Sequence, residues 1–111
     1  KPEVRVISIE TNKLVNKMLV SAVNSSYGTV RNARVEGSLV AGKTGTAEKR
    51  ITGKVFYTAS FSGFVPAHDP KLLAVIVLHG LYGEKHSGGS VAAPIFSKVM
   101  TQSLHALESG S

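Results

Sequence analysis

The sequence predicts an α+β fold, an antiparallel sheet flanked by helices. Two observations carry that reading. Apolar residues recur at helical spacing near each end of the chain, and three strand-like segments succeed one another between them with no helix intervening. Strands joined by short connections pair antiparallel, so a doubly wound parallel sheet is excluded.

The first helix is expected from about Ile9 to Val23, with Ser8 as its N-cap and Glu10 in its first turn. Leu14, Val15, Met18, Leu19, Ala22 and Val23 form its apolar stripe, and the cluster Asn24 to Gly28 ends it in a turn. Asn24-Ser25-Ser26 also fits a glycosylation acceptor, a pattern too short to weigh much. The first strand is expected over Leu39 to Ala47, followed by a polar turn from Glu48 to Lys54. The second, Phe56 to Val65, alternates. Tyr57, Ala59, Phe61, Gly63 and Val65 share one face; Phe56, Thr58, Ser60, Ser62 and Phe64 share the other. The small polar residues of that second face suggest close packing beneath a helix, and Tyr57, Phe61 and Phe64 are expected in the core. The third strand, Leu72 to His79, is continuously apolar and reads as a central strand covered on both faces. A Gly-rich loop from Gly80 to Gly89 leads to a second helix ending near Leu107. Its stripe is Ile95, Phe96, Val99, Met100, Leu104 and Leu107. Pro94 belongs in its first turn, where a missing N–H does no harm.

Composition narrows the function. The chain has 111 residues, 42% of them apolar and 18% charged, with no cysteine and a net charge of +6. A globular chain of this size buries roughly two thirds of its unfolded surface, enough for one modest core. The longest apolar run, Leu72 to Leu78, is far short of the ~20 residues of a membrane span. Absence of cysteine excludes disulfides, thiolate metal sites and a cysteine nucleophile. The pI near 9.9 raises nucleic acid as a partner. The basic residues, however, are spread from Lys1 to Lys98 with no dense block, which argues a soluble basic surface instead. The chain opens on Lys1-Pro2 with neither a methionine nor a signal peptide, so it is expected to be a piece of something longer.

The chemistry centres on Gly42-Lys43-Thr44-Gly45-Thr46, where two motifs share a lysine. Gly37 to Thr44 satisfies the phosphate-binding pattern G-x-x-x-x-G-K-S/T in full. That loop needs a strand before it and a helix after it. Here Val30 to Glu36 is polar, Leu39-Val40-Ala41 looks like strand, and Glu48 to Gly53 is a poor helix. A nucleotide-binding protein is therefore a minor alternative. In the other direction, Lys43-Thr44-Gly45-Thr46 is the Lys-Thr-Gly element of penicillin-recognising serine enzymes, on a strand.

The likeness extends over three blocks in the expected order: Val40 to Lys49, Ala59 to Ala67, and Gly88 to Phe96. Together with Val6-Ile7-Ser8 they make the chain resemble the C-terminal part of a class B penicillin-binding protein, closest to the septal peptidoglycan D,D-transpeptidases. The resemblance implies a transpeptidase fold like that of serine β-lactamases, with residues 1–111 as the C-terminal segment of one domain. It also implies acyl transfer from D-Ala-D-Ala stem peptides through a serine acyl-enzyme, with β-lactams as mimics.

By that resemblance Lys43 supplies positive charge beside the nucleophile and attracts the substrate carboxylate. Thr44 and Thr46 offer hydroxyls to that carboxylate, and the Thr46 N–H forms half of the oxyanion hole. Gly45 lets substrate lie against the strand. Tyr82, in the loop Gly80 to Gly89, would line the groove, although Ser87 stands where the family commonly has tyrosine. No cofactor is implied, and His68, His79, His86 and His105 show no metal-ligand spacing. The implied partners are stem peptides, β-lactams, the upstream half of the domain and divisome proteins. The implied location is the bacterial inner membrane with the domain facing the periplasm, anchored upstream.

Alternation sets a structural demand. Thr44 and Thr46 fall on one face of the strand, Lys43 and Gly45 on the other, so one site can use all four only if the strand meets it edge-on. Two family motifs are missing: no serine here has lysine three positions on or asparagine two on. A non-catalytic interaction module that keeps the fold is thus a further alternative, and the isolated chain is expected to be inactive.

Overall fold

The computed structural model describes residues 2–24, 30–83 and 87–110. Helix α1 runs Ile9–Asn24. Ser8 caps it as expected: its Oγ accepts from the Thr11 N–H at 3.1 Å, satisfying an amide with no intrahelical partner. At the other end the Asn24 side-chain amide donates to the carbonyls of Val20 and Val40, both at 2.8 Å. The helix terminus is thereby tied to the residue before the first strand. Most of the glycine-containing turn expected after Asn24, and the glycosylation pattern, lie outside the described residues. A 3₁₀ turn at Arg31–Ala33, which periodicity did not signal, follows.

Strands β1 (Ala41–Ile51), β2 (Lys54–Val65) and β3 (Leu72–Leu81) form one sheet in the order β1-β2-β3, antiparallel throughout. A π-helical turn, Gly88–Ala92, leads into helix α2, Ala93–Ser109, with Pro94 in its first turn as expected. The first hairpin is longer than the polar stretch 48–54 suggests. Strand pairing continues to Ile51 opposite Lys54, and the turn is only Thr52-Gly53, with φ of +47° and +79°. Two positive φ values in a two-residue loop match the right-handed twist of the strands it joins.

Directly opposed residues share a face of the sheet. Gly42, Thr44 and Thr46 therefore lie with Ala59, Phe61 and Gly63 of β2 and with Ala74 and Ile76 of β3. This face carries the core. Phe61 and Phe96 of α2 are both fully buried, their ring centroids 4.6 Å apart at 59°. Val23, Val30, Ala33, Val35, Val40, Val65, Ala92, Ala93, Met100 and Leu104 complete the cluster. Gly42 and Gly63, paired on adjacent strands, make room for the Phe61 ring. A Cβ on Gly63 would stand 2.8 Å from Phe61 Cε1 and 2.9 Å from Phe96 Cζ, and one on Gly42 would press into the same ring.

Three expectations are corrected. Among the described residues β3 is an edge strand and not a central one, because short connections keep spatial order equal to chain order. Leu72, Ala74 and Ile76 pack on the core, whereas Leu73, Val75 and Val77 are 73%, 58% and 44% exposed. The serine face of β2 lies on the side of the sheet away from Phe96: Ser62 is exposed, and Ser60 and Phe64 are half-buried, as is Tyr57 on the core face. In α1 only Val23 is buried; Leu14, Val15 and Met18 are exposed, since the helix meets the core through its last turn.

Truncating the ring at the centre of this arrangement, Phe61→Ala, should cost about 3–5 kcal/mol in denaturant unfolding. Thr52→Asn should raise stability by about 1 kcal/mol in the same assay, because a β-branched residue is poorly suited to positive φ and asparagine tolerates it.

Candidate active site

The motif Lys43-Thr44-Gly45-Thr46 lies inside β1, and β1 is an edge of the sheet with a strand on one side only among the described residues. Register divides the motif as alternation requires. Thr44 opposes Phe61 and Thr46 opposes Ala59 on the core face, whereas Lys43 opposes Ser62 and Gly45 opposes Ser60 on the other. The edge position leaves open the arrangement that this division demands, since an edge strand has a flank that side chains of either face can border.

Lys43 is exposed, its ammonium donating to the Thr44 carbonyl at 3.0 Å. Gly45 is closely backed: a Cβ there would stand 2.6 Å from Ser60 Oγ, which itself points at the Gly45 carbonyl from 3.4 Å. Thr46 is exposed, and its Oγ1 accepts from the Gly88 N–H at 3.2 Å. Gly88 is buried against the strands. A Cβ on it would lie 2.9 Å from the Gly45 carbonyl oxygen and 3.0 Å from Thr44 Cβ, and closer still to the Ser60 carbonyl oxygen. The turn leading into α2 is thus seated on the backbone of the motif.

Tyr82 sits elsewhere along the hairpin. It is 68% exposed and its ring packs on Phe56, centroids 5.7 Å apart. Phe56 pairs with Lys49, three rungs beyond Thr46. The centre of the loop expected from Gly80 to Gly89, including His86, lies outside the described residues. Ser87 has a local reason for its identity, since its Oγ accepts from the Ser90 N–H at 3.0 Å and caps the π-helical turn. Sequence reasoning missed Gly88 and Ser60 as neighbours of the motif. Gly88-Gly89 reads only as loop chemistry, and no local signal reports a contact 42 residues away.

The phosphate-loop alternative does not survive the geometry. Gly42, Lys43 and Thr44 are extended strand with β2 alongside, and no helix N-terminus follows them to face a phosphate.

An edge strand bearing Lys-Thr-Gly-Thr, layered on a C-terminal helix, defines a class that the comparisons with known proteins identify. The model of the penicillin-binding protein transpeptidase domain matches residues 1–101. Stage V sporulation protein D of Bacillus subtilis (strain 168) is 46% identical over 103 residues, covering 90% of this chain and 16% of that protein. The peptidoglycan D,D-transpeptidase FtsI of Buchnera aphidicola subsp. Schizaphis graminum is 45% identical over 71 residues, covering 61% of this chain and 12% of that one. Among solved structures, the transpeptidase domain of Burkholderia pseudomallei penicillin-binding protein 3 superposes with a TM-score of 0.81 at 37% identity, covering 96% of this chain and 33% of that one. The chain belongs to the penicillin-binding protein transpeptidase domain family. It spans about a sixth or less of the length of these two curated relatives.

Gly45→Ala should lower the melting temperature by displacing Ser60 Oγ, and Ser60→Ala in the same chain should restore most of the loss. Absence of rescue would show that the strain at Gly45 is not with Ser60.

Proposed function

We propose that this chain is the C-terminal segment of one transpeptidase domain and supplies the Lys-Thr-Gly strand, but not the nucleophile, of a serine-type peptidoglycan D,D-transpeptidase. The observation that carries the reading is the placement of Lys43, Thr44, Gly45 and Thr46 along the free edge of β1, within a chain that belongs to this family. A free strand edge can bind an extended peptide as one more strand, and the side chains that border it then select what that peptide carries.

In this reading a serine outside the chain adds through Oγ to the carbonyl carbon of the penultimate D-alanine. The C–N bond breaks, and the terminal D-alanine leaves with a proton on its amine. An amine of a neighbouring stem peptide then attacks the ester, forming the cross-link and returning the proton to the serine. Thr46 contributes its N–H to the developing oxyanion, a donor typically worth ~3 kcal/mol of barrier in comparable sites. Lys43 adds positive charge near the nucleophile and, with the hydroxyls of Thr44 and Thr46, draws in the terminal carboxylate. Tyr82, packed on Phe56 further along the hairpin, borders the more distant part of the groove.

The unpartnered apolar surface supports the domain assignment. Leu73, Val75 and Val77 on β3 and Leu14 and Met18 on α1 are exposed, and the solved domain it resembles is about three times as long as the part matched. Among the described residues no helix is long and apolar enough to cross a membrane. The reading assigns the anchor to the upstream chain, the domain to the periplasmic side of the inner membrane, and divisome proteins to its partners.

Labelled penicillin tests the proposal directly. The complete protein should form a covalent adduct and Lys43→Ala should reduce its rate of formation by at least a hundredfold; near-normal rates would remove Lys43 from the mechanism. An adduct on the isolated 111-residue chain would overturn the assignment of the nucleophile to another segment.

A further inference from the structure

We propose that Gly88 and Asn32 are positioning residues that hold the Thr46 hydroxyl as a hydrogen-bond donor toward an anionic group at the free edge of β1. The proposal rests on the reading of Thr46 as a carboxylate-binding residue, and adds what fixes the direction of its proton.

A threonine hydroxyl has one proton and two lone pairs, and rotates to suit its surroundings. At Thr46 one lone pair is engaged by the Gly88 N–H, 3.2 Å away. An amide N–H can only donate, so the hydroxyl proton must lie away from the π-helical turn. No acceptor for that proton is present among the described residues. Among these residues the hydroxyl's donor function is therefore unspent, on an exposed residue of the edge strand.

The donor that imposes this is itself held from several sides. Ser87 Oγ accepts from the Ser90 N–H at 3.0 Å, and the Ser87 carbonyl accepts from Val91 and Ser90 at 3.0 and 3.2 Å. From the 3₁₀ turn, the Asn32 side-chain amide donates to the Gly89 carbonyl at 3.0 Å. Underneath, the backbone of β1 and β2 leaves no room for a side chain on Gly88. The turn thus offers its N–H in one direction. A preset donor of this kind needs no reorientation when charge arrives, which is where electrostatic preorganisation acts. Asn32 does not touch the motif. Its part is to keep the Gly88-Gly89 turn at the depth from which the N–H reaches Thr46.

The test uses the complete protein and two probes, a β-lactam with a free ring carboxylate and its methyl ester, and reads the ratio of their second-order acylation rates. Replacing the Ser87–Gly88 amide by an ester deletes the N–H without adding a Cβ. Thr46→Val and this backbone ester should each lower the acid-to-ester ratio about tenfold, with no further fall when combined, because both remove the same oriented donor. Asn32→Ala should lower the ratio about threefold with little change in melting temperature. If Thr46→Val lowers the ratio and the backbone ester does not, the positioning role is overturned while the Thr46 reading stands. If Thr46→Val itself leaves the ratio unchanged, the Thr46 reading falls and the inference with it. Equal losses for acid and ester in the backbone variant would show a merely structural contact and also overturn the proposal. An unchanged ratio in Asn32→Ala would remove Asn32 from the relay.

Discussion

The seating of one aromatic ring on two paired glycines fixes this molecule. Phe61 projects from the middle strand, and its ring lies over the rung formed by Gly42 and Gly63, braced on its other side by Phe96. Any side chain larger than hydrogen at either glycine would occupy the space of the ring. The contact therefore couples three things at once: the register of β1 on β2, the depth of α2 above the sheet, and the burial of the largest apolar groups in the core.

The Lys-Thr-Gly-Thr motif inherits its geometry from that contact. Gly42 is both the seat of the ring and the residue before Lys43, so the register that admits Phe61 also sets which way each motif residue points. A slip of one residue would exchange the faces of Lys43 and Thr44 and put a charge where the core lies. The site is in this sense an extension of the packing. The π-helical turn that starts α2 makes the same coupling from above. Gly88 rests on the backbone of Gly45 and Ser60 and donates to Thr46, while Ala92, Ala93 and Phe96 just beyond it enter the core.

Local chemistry was legible wherever neighbours in sequence are neighbours in space. The Ser8 cap, the position of Pro94 and the two faces of β2 all follow from rules with a reach of a few residues. The hairpin turn was legible within Glu48 to Lys54 but is shorter than that stretch suggests, because most of it is polar for a different reason: those strand ends project into solvent. The errors about β3 and α1 share a physical cause. A continuously apolar strand and an amphipathic helix report that surface is suited to burial, not that this segment of chain provides the cover. In the structure Leu73, Val75, Leu14 and Met18 remain exposed.

By itself the sequence determined the class of fold and the family, and singled out Lys43, Thr44, Gly45 and Thr46 as the candidate site, because helix, strand and motif signals are written in local spacing. Only the tertiary structure decided that β1 is an edge, that Phe61 selects its register, and that Gly88 and Asn32, remote in sequence, stand behind Thr46. Those outcomes depend on which surfaces meet. Spacing along a chain specifies which face a residue occupies, but the neighbour across that face is chosen by packing the whole.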